Sequence, residues 1–297
     1  DNRYHDIEVT YAKADPEDVC ILLTVHNRGP EEARLHVLPQ LWFRNTWSWG
    51  REGEGYWPRG VIKEDGDRQV VAQGADLPPM NLSIDEFDGE YRGTLLTEND
   101  TNTQLLFGFG DKYACVKDAF HDHVVDGKAD CLSASGQGSK VAFHCVLTVP
   151  AGEQRQIRLR MTRSTASDQK FGEHFQGVID ERRSDANDFY DEVIGKDANH
   201  EATRIQRQAY AGLIWSRQFY WYDVRSWLVG DPAQPTPPRK RRDGRNADFS
   251  HLYNRDVLSM PDKWEYPWYA AWDLAFHMIP YAHIDAGFAK HQLLLLL

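Results

Sequence analysis

Paired cysteines, phosphate-binding glycine loops and long apolar runs are all missing from this chain. Its four cysteines, Cys20, Cys115, Cys131 and Cys145, lack the CxxC spacing of a structural zinc site or a thioredoxin motif, so reduced and mostly buried thiols are expected. With no basic-then-apolar segment at the N-terminus, this favours a cytoplasmic location. The run Leu293 to Leu297 is far shorter than the roughly 20 residues that span a bilayer, so no membrane partner is expected. No P-loop, nucleophile elbow or dinucleotide fingerprint is present, and no cofactor is expected. Positive charge is also short. The formal net charge of −11 opposes general association with nucleic acid, whose phosphates need a cationic surface.

What is present suits a large folded chain. In 297 residues, 41% are hydrophobic and 12% aromatic, enough for a packed core and for more than one unit. From Ile7 to Arg163 the pattern is that of strands. Ile7 to Tyr11, Val19 to His26, Ala33 to Phe43, Val141 to Val149 and Gln156 to Met161 alternate in polarity. Asn27-Arg28-Gly29-Pro30 and Pro150-Ala151-Gly152-Glu153 are each expected to close a hairpin. Many strands with short turns predict antiparallel sheets packed as a sandwich. Two glycosylation-type triplets, at Asn81 and Asn99, are read as incidental.

Near Phe171 the period becomes helical, with Phe171, Phe175, Val178 and Ile179 at three- and four-residue steps. This places a β-sandwich at 1–165, a helical linker at 166–198 and a helical domain at 199–297. A second helix is expected over His200 to Trp221, buried among others because its apolar residues run nearly all round. The Pro-rich, basic stretch Asp231 to Arg245 reads as a solvated, mobile loop near a cleft in preference to a nuclear-localisation or nucleic-acid patch, since the rest of the chain is acidic. Another helix is expected from Pro267, kinked or ended near Pro280 and resuming toward the leucines.

Chemistry concentrates between Met260 and His277. Trp264, Tyr266, Trp268, Tyr269 and Trp272 surround Asp262, Glu265 and Asp273. Flat aromatic faces suit sugar rings, and a carboxyl held among rings loses solvation, which favours its protonated form. In a helix begun at Pro267, Asp273 stands between rings with His277 one turn away. Glycoside hydrolysis needs such an acid and a second carboxylate. Asp273 fits the acid, or else is an ordinary helix residue in an ion pair. Glu265 either binds sugar hydroxyls, caps the helix or faces solvent. Trp264, Tyr266, Trp268 and Trp272 are either core or sugar platform.

Two further groups are weaker. His121-Asp122-His123 can put two imidazoles on one side of an extended segment, but no third ligand is spaced to complete a metal site, and no metal is expected. The loop Arg44 to Gly50, with Trp47 and Trp49, either reaches a neighbouring cleft or seals a domain interface.

At Met260 to Trp268 and Ala271 to His277 the sequence resembles glycoside hydrolase family 63, in its bacterial and mannosyl-oligosaccharide-glucosidase-like members. Asn45 to Gly50 and Tyr220 to Val224 look like the same family. The resemblance implies an N-terminal β-sandwich followed by the first helices of an (α/α)6 barrel, hence a mixed all-β plus all-α chain. It also implies hydrolysis of α-linked glucosides or related oligosaccharides with inversion. Asp273 matches the family's general acid, while its general base, a glutamate, comes later in the barrel, past the end of this chain. Inversion needs the two carboxyls roughly 6.5–9.5 Å apart, so the chain alone is expected to be weakly active or inactive. The competing reading is a non-catalytic carbohydrate-binding module that uses the aromatics of 264–272.

Overall fold

The computed structural model describes residues 3–110, 115–163, 170–195, 199–262 and 265–297. Contacts divide the chain into two compact units, Asp1–Arg183 and Ser184–Leu297. It is a mixed molecule of sheets and helices in which the described strand pairs are all antiparallel.

The first unit begins with β1 (His5–Asp15), β2 (Asp18–Asn27), β3 (Ala33–Val37) and β4 (Gln40–Trp42). It continues with β5 (Val61–Glu64), β6 (Gln69–Gln73), β7 (Met80–Ile84) and β8 (Glu90–Thr97), then helices α1 (Thr103–Phe107) and α2 (Ala119–Asp126). After these come β9 (Gln137–Gly138), β10 (Lys140–Val149), β11 (Gln154–Thr162) and the start of α3 (Glu173–Ile194). The larger sheet runs β1-β2-β11-β7-β6-β5-β9, and in the smaller one β10 pairs with β3, β4 and β8.

Period-two alternation places the core. Leu23 and Val25 on β2, Ile157 and Leu159 on β11, and Phe143, Cys145, Leu147 and Val149 on β10 share one buried cluster, the filling between the sheets. On the other face of the larger sheet, Cys20 and Leu22 pack against Phe175, Val178 and Ile179 of α3. A buried bidentate pair fixes that seam: Arg160 donates to Asp18 at 2.7 and 2.5 Å and to the Lys170 carbonyl at 2.9 Å. Removing either charge would strand the other in a buried site.

The two expected hairpins are instead sheet-switching corners. Asn27 ends β2 in the larger sheet, and β3 belongs to the smaller one; Pro150–Glu153 carries β10 over to β11. The corners are tied to each other. The Asn27 amide nitrogen donates to the carbonyls of Val149 (2.9 Å) and Glu31 (2.7 Å), its oxygen accepts from Gly29 N, and its backbone bonds Glu153 and Gly152. A corner residue that is 2% exposed needs all these partners, because a buried amide left unbonded costs about 1–3 kcal/mol.

Helix α2 was expected as extended chain. On a helix, positions two apart point roughly 200° apart, so His121 and His123 cannot present their imidazoles side by side. His123 instead lies edge-on to His144 of β10, at 6.1 Å between ring centroids. His144 Nε2 is 2.9 Å from His36 Nδ1. It sits at a bulge where β8 shifts register between the partners of Phe143 and Cys145. Gly93, at φ 110°, takes the turn on the β8 side.

The second unit contains the rest of α3, α4 (His200–Trp215), β12 (Arg217–Asp223), α5 (Val224–Val229), β13 (Tyr253–Ser259), α6 (Ala271–Ile284) and α7 (Ala286–Leu294). The expected helix to Trp221 stops at Trp215, and Arg217–Asp223 pairs as a strand with β13. No described residue of α4 is buried, and Trp215 is 79% exposed, so this helix is not enclosed as expected. Helix α6 runs through Pro280 rather than breaking there, and the break falls at Asp285, which caps α7 through Phe288 N. Arg217 binds Asp285 at 3.0 Å and lies over the ring of Phe288, while buried Gln292 bridges α7 to Ser259 and Val257 of β13. Among the described residues, no helix is long and apolar enough to cross a membrane.

The imidazole cluster makes the first unit sensitive to acid. Burial, then the charges of His36, Arg92 and His123, depress the His144 pKa from 6.5 to about 4, against a smaller opposing effect of Glu90. Above about pH 6.5 the ring is neutral whether the chain is folded or not. Below that, the unfolded chain binds a proton that the folded site refuses, so stability falls as pH drops from about 6.5 to about 4, by on the order of 3 kcal/mol. Urea unfolding followed between pH 7 and 4 is expected to show a smaller loss of stability in His144→Gln than in wild type. Identical pH dependences would remove His144 as the cause.

Candidate functional site

The segment preceding α6 has little regular structure of its own, and β12 holds it. On this strand Gln218, Tyr220 and Tyr222 share one face, as period two requires. Each reaches a backbone carbonyl of the aromatic segment. Gln218 donates to Met260 O at 2.9 Å and Pro261 O at 3.1 Å, Tyr220 to Trp268 O at 2.7 Å, and Tyr222 to Pro267 O at 3.3 Å. Asn246 adds a second donor to Pro267 O, at 3.3 Å. Three consecutive inward side chains thus fasten both ends of 260–268, and burial pushes the pKa of Tyr220 up, keeping the phenol a donor. Short bonds within the segment, Tyr266 N to Asp262 O and Trp268 N to Tyr266 O, complete it.

This clamp explains why α6 begins at Ala271 and not at Pro267. The carbonyls of Pro267 and Trp268, which would start a helix there, are taken by tyrosines, and Ala271 N bonds Tyr269 O instead. Trp268 and Trp272 therefore do not form a helical stripe. Trp268 is half-buried, with the Arg245 guanidinium 3.9 Å from its ring centroid and Tyr266 edge-on at 5.2 Å. Trp272 is 76% exposed and lies 6.0 Å from Phe276, itself exposed. The expected aromatic enclosure is thus not built by Trp272, which faces solvent. Glu265 is exposed in a turn whose N–H bonds Asp262 O. Trp264 lies outside the described residues.

Asp273 falls in the first turn of α6 and is half-buried. An acidic residue there complements the unbonded N–H groups of the helix start. It makes no hydrogen bond or ion pair with any described residue, so the expected alternative, an ordinary helix ion pair, is not formed among them. His277, one turn on, is 3.1 Å from buried Ser259 through Nδ1. The basic stretch is not free either: Arg241 lies over Trp227 and bonds its carbonyl, and Arg245 covers Trp268.

In the first unit the loop after β4 is organised by Asp100. Its carboxylate accepts from Asn45 (2.8 Å) and from the Trp47 indole (2.9 Å) and pairs with Arg59 at 2.9 Å. Arg59 also stacks on Trp47, and Arg44 on Trp49. Asn99, the second glycosylation-type site, donates to Phe43 O, and Asn81, the first, is buried in β7. Depressions of about 370 Å³, beside Arg155 and Arg158, and about 260 Å³, beside Arg59 and Lys63, also belong to this unit. Neither includes a residue of the aromatic segment.

Sequence reasoning missed Gln218 and Asn246, and it noted Tyr220 and Tyr222 only within a motif, not as the clamp. The signal for Gln218, Tyr220 and Tyr222 was their alternation inside a run read as helix; Asn246 had none.

No protein family model matches the chain. It is 34% identical over 332 residues to "Uncharacterized protein YMR196W" of Saccharomyces cerevisiae, an alignment that takes in 100% of this chain and 30% of the yeast protein. The chain thus spans about 30% of the length of that relative. It also superposes on the structure named "Putative kojibiose phosphorylase from human microbiome", at 9% identity and a TM-score of 0.29, over 72% of this chain and 21% of the other. A likeness that distant assigns neither fold nor activity.

The clamp is open to direct test. Tyr220→Phe removes one short, buried bond and leaves the Trp268 carbonyl without that donor, so it is expected to cost about 1–3 kcal/mol. Thermal unfolding of the variant beside wild type checks it, and an unchanged midpoint would show that the bond contributes nothing.

Proposed function

We propose that this chain supplies the β-sandwich and the opening helices of an (α/α)6 barrel of a carbohydrate-active enzyme, an inverting glycosidase of α-linked glucosides or related oligosaccharides. The observation that carries this reading is the segment 260–277. It holds the motif residues that resemble glycoside hydrolase family 63, its backbone is pinned at four carbonyls, and it carries at Asp273 a half-buried carboxylate that pairs with none of the described residues.

In this reading Asp273 gives its proton to the leaving glycosidic oxygen while a second carboxylate activates water on the opposite face of the sugar. The second group is a glutamate from the remainder of the longer protein. Rigid backbone before α6 matters here because an acid acts only when held within hydrogen-bond reach of the oxygen it protonates. Trp268 and Tyr266 contribute a fixed edge for the sugar, and Trp272 and Glu265 contact it from the solvent side. Trp264 is retained as a contact on the motif resemblance. The activity is cytoplasmic, and needs neither nucleic acid nor membrane.

A second reading, a carbohydrate-binding module without catalysis, is favoured by one observation: Trp272 and Phe276 form an exposed aromatic pair on α6, a surface that can bind sugar whatever Asp273 does.

Proton NMR of the longest natural form of the protein with a panel of α-linked glucosides separates the two. Wild type is expected to release the β-anomer first, and Asp273→Asn to lower kcat by at least about a thousandfold while binding persists. Binding without product from wild type would leave the module reading. Release of the α-anomer first would overturn inversion.

A further inference from the structure

The larger sheet ends on β1, and among the described residues no strand pairs with its free side. Edge strands normally carry devices that block further pairing: shortness, proline, inward charge or a bulge. This one is 11 residues long and has no proline. Its bulge and its one lysine, Lys13, are confined to the C-terminal end.

Two backbone bonds fix which groups the open edge presents. Arg28 N donates to Tyr4 O at 3.0 Å, whereas Asn27 N points away from β1 and donates to Glu153 O at 2.9 Å. Bonded and unbonded pairs alternate along an antiparallel ladder, so Asp6, Glu8, Thr10 and Ala12 bond β2. The N–H and C=O groups of His5, Ile7, Val9, Tyr11 and Lys13 therefore turn outward. These residues also carry the apolar row of the strand. Ile7, Val9 and Tyr11 lie opposite Val25, Leu23 and Ile21, on the face that fills the sandwich, yet they are 55%, 40% and 61% exposed. On the other face Ala12 is already buried in the cluster that holds Phe175 of α3. The core face of the sheet thus runs past its cover and stops, uncovered, at an open edge.

An antiparallel second copy of β1 fits this edge in one register. A two-fold axis at Val9 sets Val9 opposite Val9 and Ile7 opposite Tyr11 on both sides, so the apolar rows meet along their length. Glu8 then meets Thr10, Asp6 meets Ala12, Lys13 meets His5, and each end brings Arg3 of one copy beside Asp15 of the other. Moving the axis to Glu8 sets Glu8 against Glu8 and Arg3 against Lys13, and like charges directly opposite destabilise a pair. Moving it to Thr10 sets Ile7 against Lys13. An axis between residues would turn one apolar row to the opposite face.

We propose that the chain forms a two-fold dimer by antiparallel pairing of β1 with β1 of a second copy, centred on Val9. The two larger sheets then become one. Main-chain bonds at the outward residues give affinity, and the apolar row with its flanking charges gives register.

Sedimentation equilibrium of the 297-residue chain from about 1 μM to about 1 mM tests the idea, with amide exchange followed at both ends of that range. A reversible monomer–dimer equilibrium is expected, with the amides of Ile7, Val9 and Tyr11 exchanging at least about tenfold more slowly in the dimer. Val9→Lys sets two cations opposite each other, and Val9→Pro removes an N–H that β2 does not use. Each is expected to weaken dimerisation at least about tenfold. Leu105→Lys, at an exposed apolar position on α1, is expected to leave it unchanged. Thermal melting shows whether each variant is folded, and the wild-type amides keep the test open if one is not. A chain that stays monomeric at every concentration would overturn the proposal, and so would a dimer that both Val9 variants leave within about twofold. A dimer whose formation leaves the three amides as fast as in the monomer would place the interface elsewhere and overturn it too.

Discussion

The second unit depends on where four backbone carbonyls find their donors. Residues 260–268 contain two prolines, Pro261 and Pro267, and crowded aromatic rings, a composition that supports neither a helix nor a strand. Left alone, such a stretch would exchange among many conformations. Gln218, Tyr220 and Tyr222, spaced two apart on β12, take up those carbonyls from one side. The strand can do so because β13 holds its other edge over seven paired positions. Start of α6, and with it the position of Asp273, follows from this fastening. A single ribbon thus holds the described residues at both ends of an irregular stretch.

The first unit rests on a comparable economy of means. Asn27 joins the two corners at which the chain leaves one sheet for the other, and Arg160, held by Asp18 on the neighbouring strand, reaches the Lys170 carbonyl ahead of α3. Asp100 does for the loop after β4 what β12 does for the aromatic segment: it collects Asn45, Trp47 and Arg59 around one carboxylate. Aromatic loops in both units are therefore ordered by polar bonds at their margins. Stacking alone, worth on the order of 1 kcal/mol per pair, would not order them.

Much of this was readable in the residues. Alternation in Gln156 to Met161 marks a strand because one face is buried between sheets, whereas Val141 to Val149 is a nearly continuous apolar run because β10 is buried on both faces. The step to a helical period at Phe171 marks α3 because Phe175, Val178 and Ile179 form a stripe. Other features were not readable. Phe219 to Tyr222 is a short aromatic run, and such runs fit a helix or a strand equally until a partner is known; β13, 30 residues or more further on, is that partner. Whether Asn27 turns back within a sheet or crosses to another depends on pairing, not on turn chemistry. Pro267 looked like the first residue of a helix, but local preference yielded to the tyrosines that captured the neighbouring carbonyls. The motif around Asp273 was legible as chemistry, while the orientation of Trp272 toward solvent was not, since it depended on that four-residue shift.

The measurement that bears most directly on this account is amide hydrogen exchange, read residue by residue, through 262–274 in wild type and in a Gln218→Ala, Tyr220→Phe double variant. The account predicts slow exchange at Tyr266, Trp268 and Ala271 in wild type, made much faster by the double variant while β2, β10 and β11 keep their protection. Exchange at those three amides as fast in wild type as in an open loop, or unchanged by the double variant, would contradict the claim that β12 fixes the segment leading to Asp273.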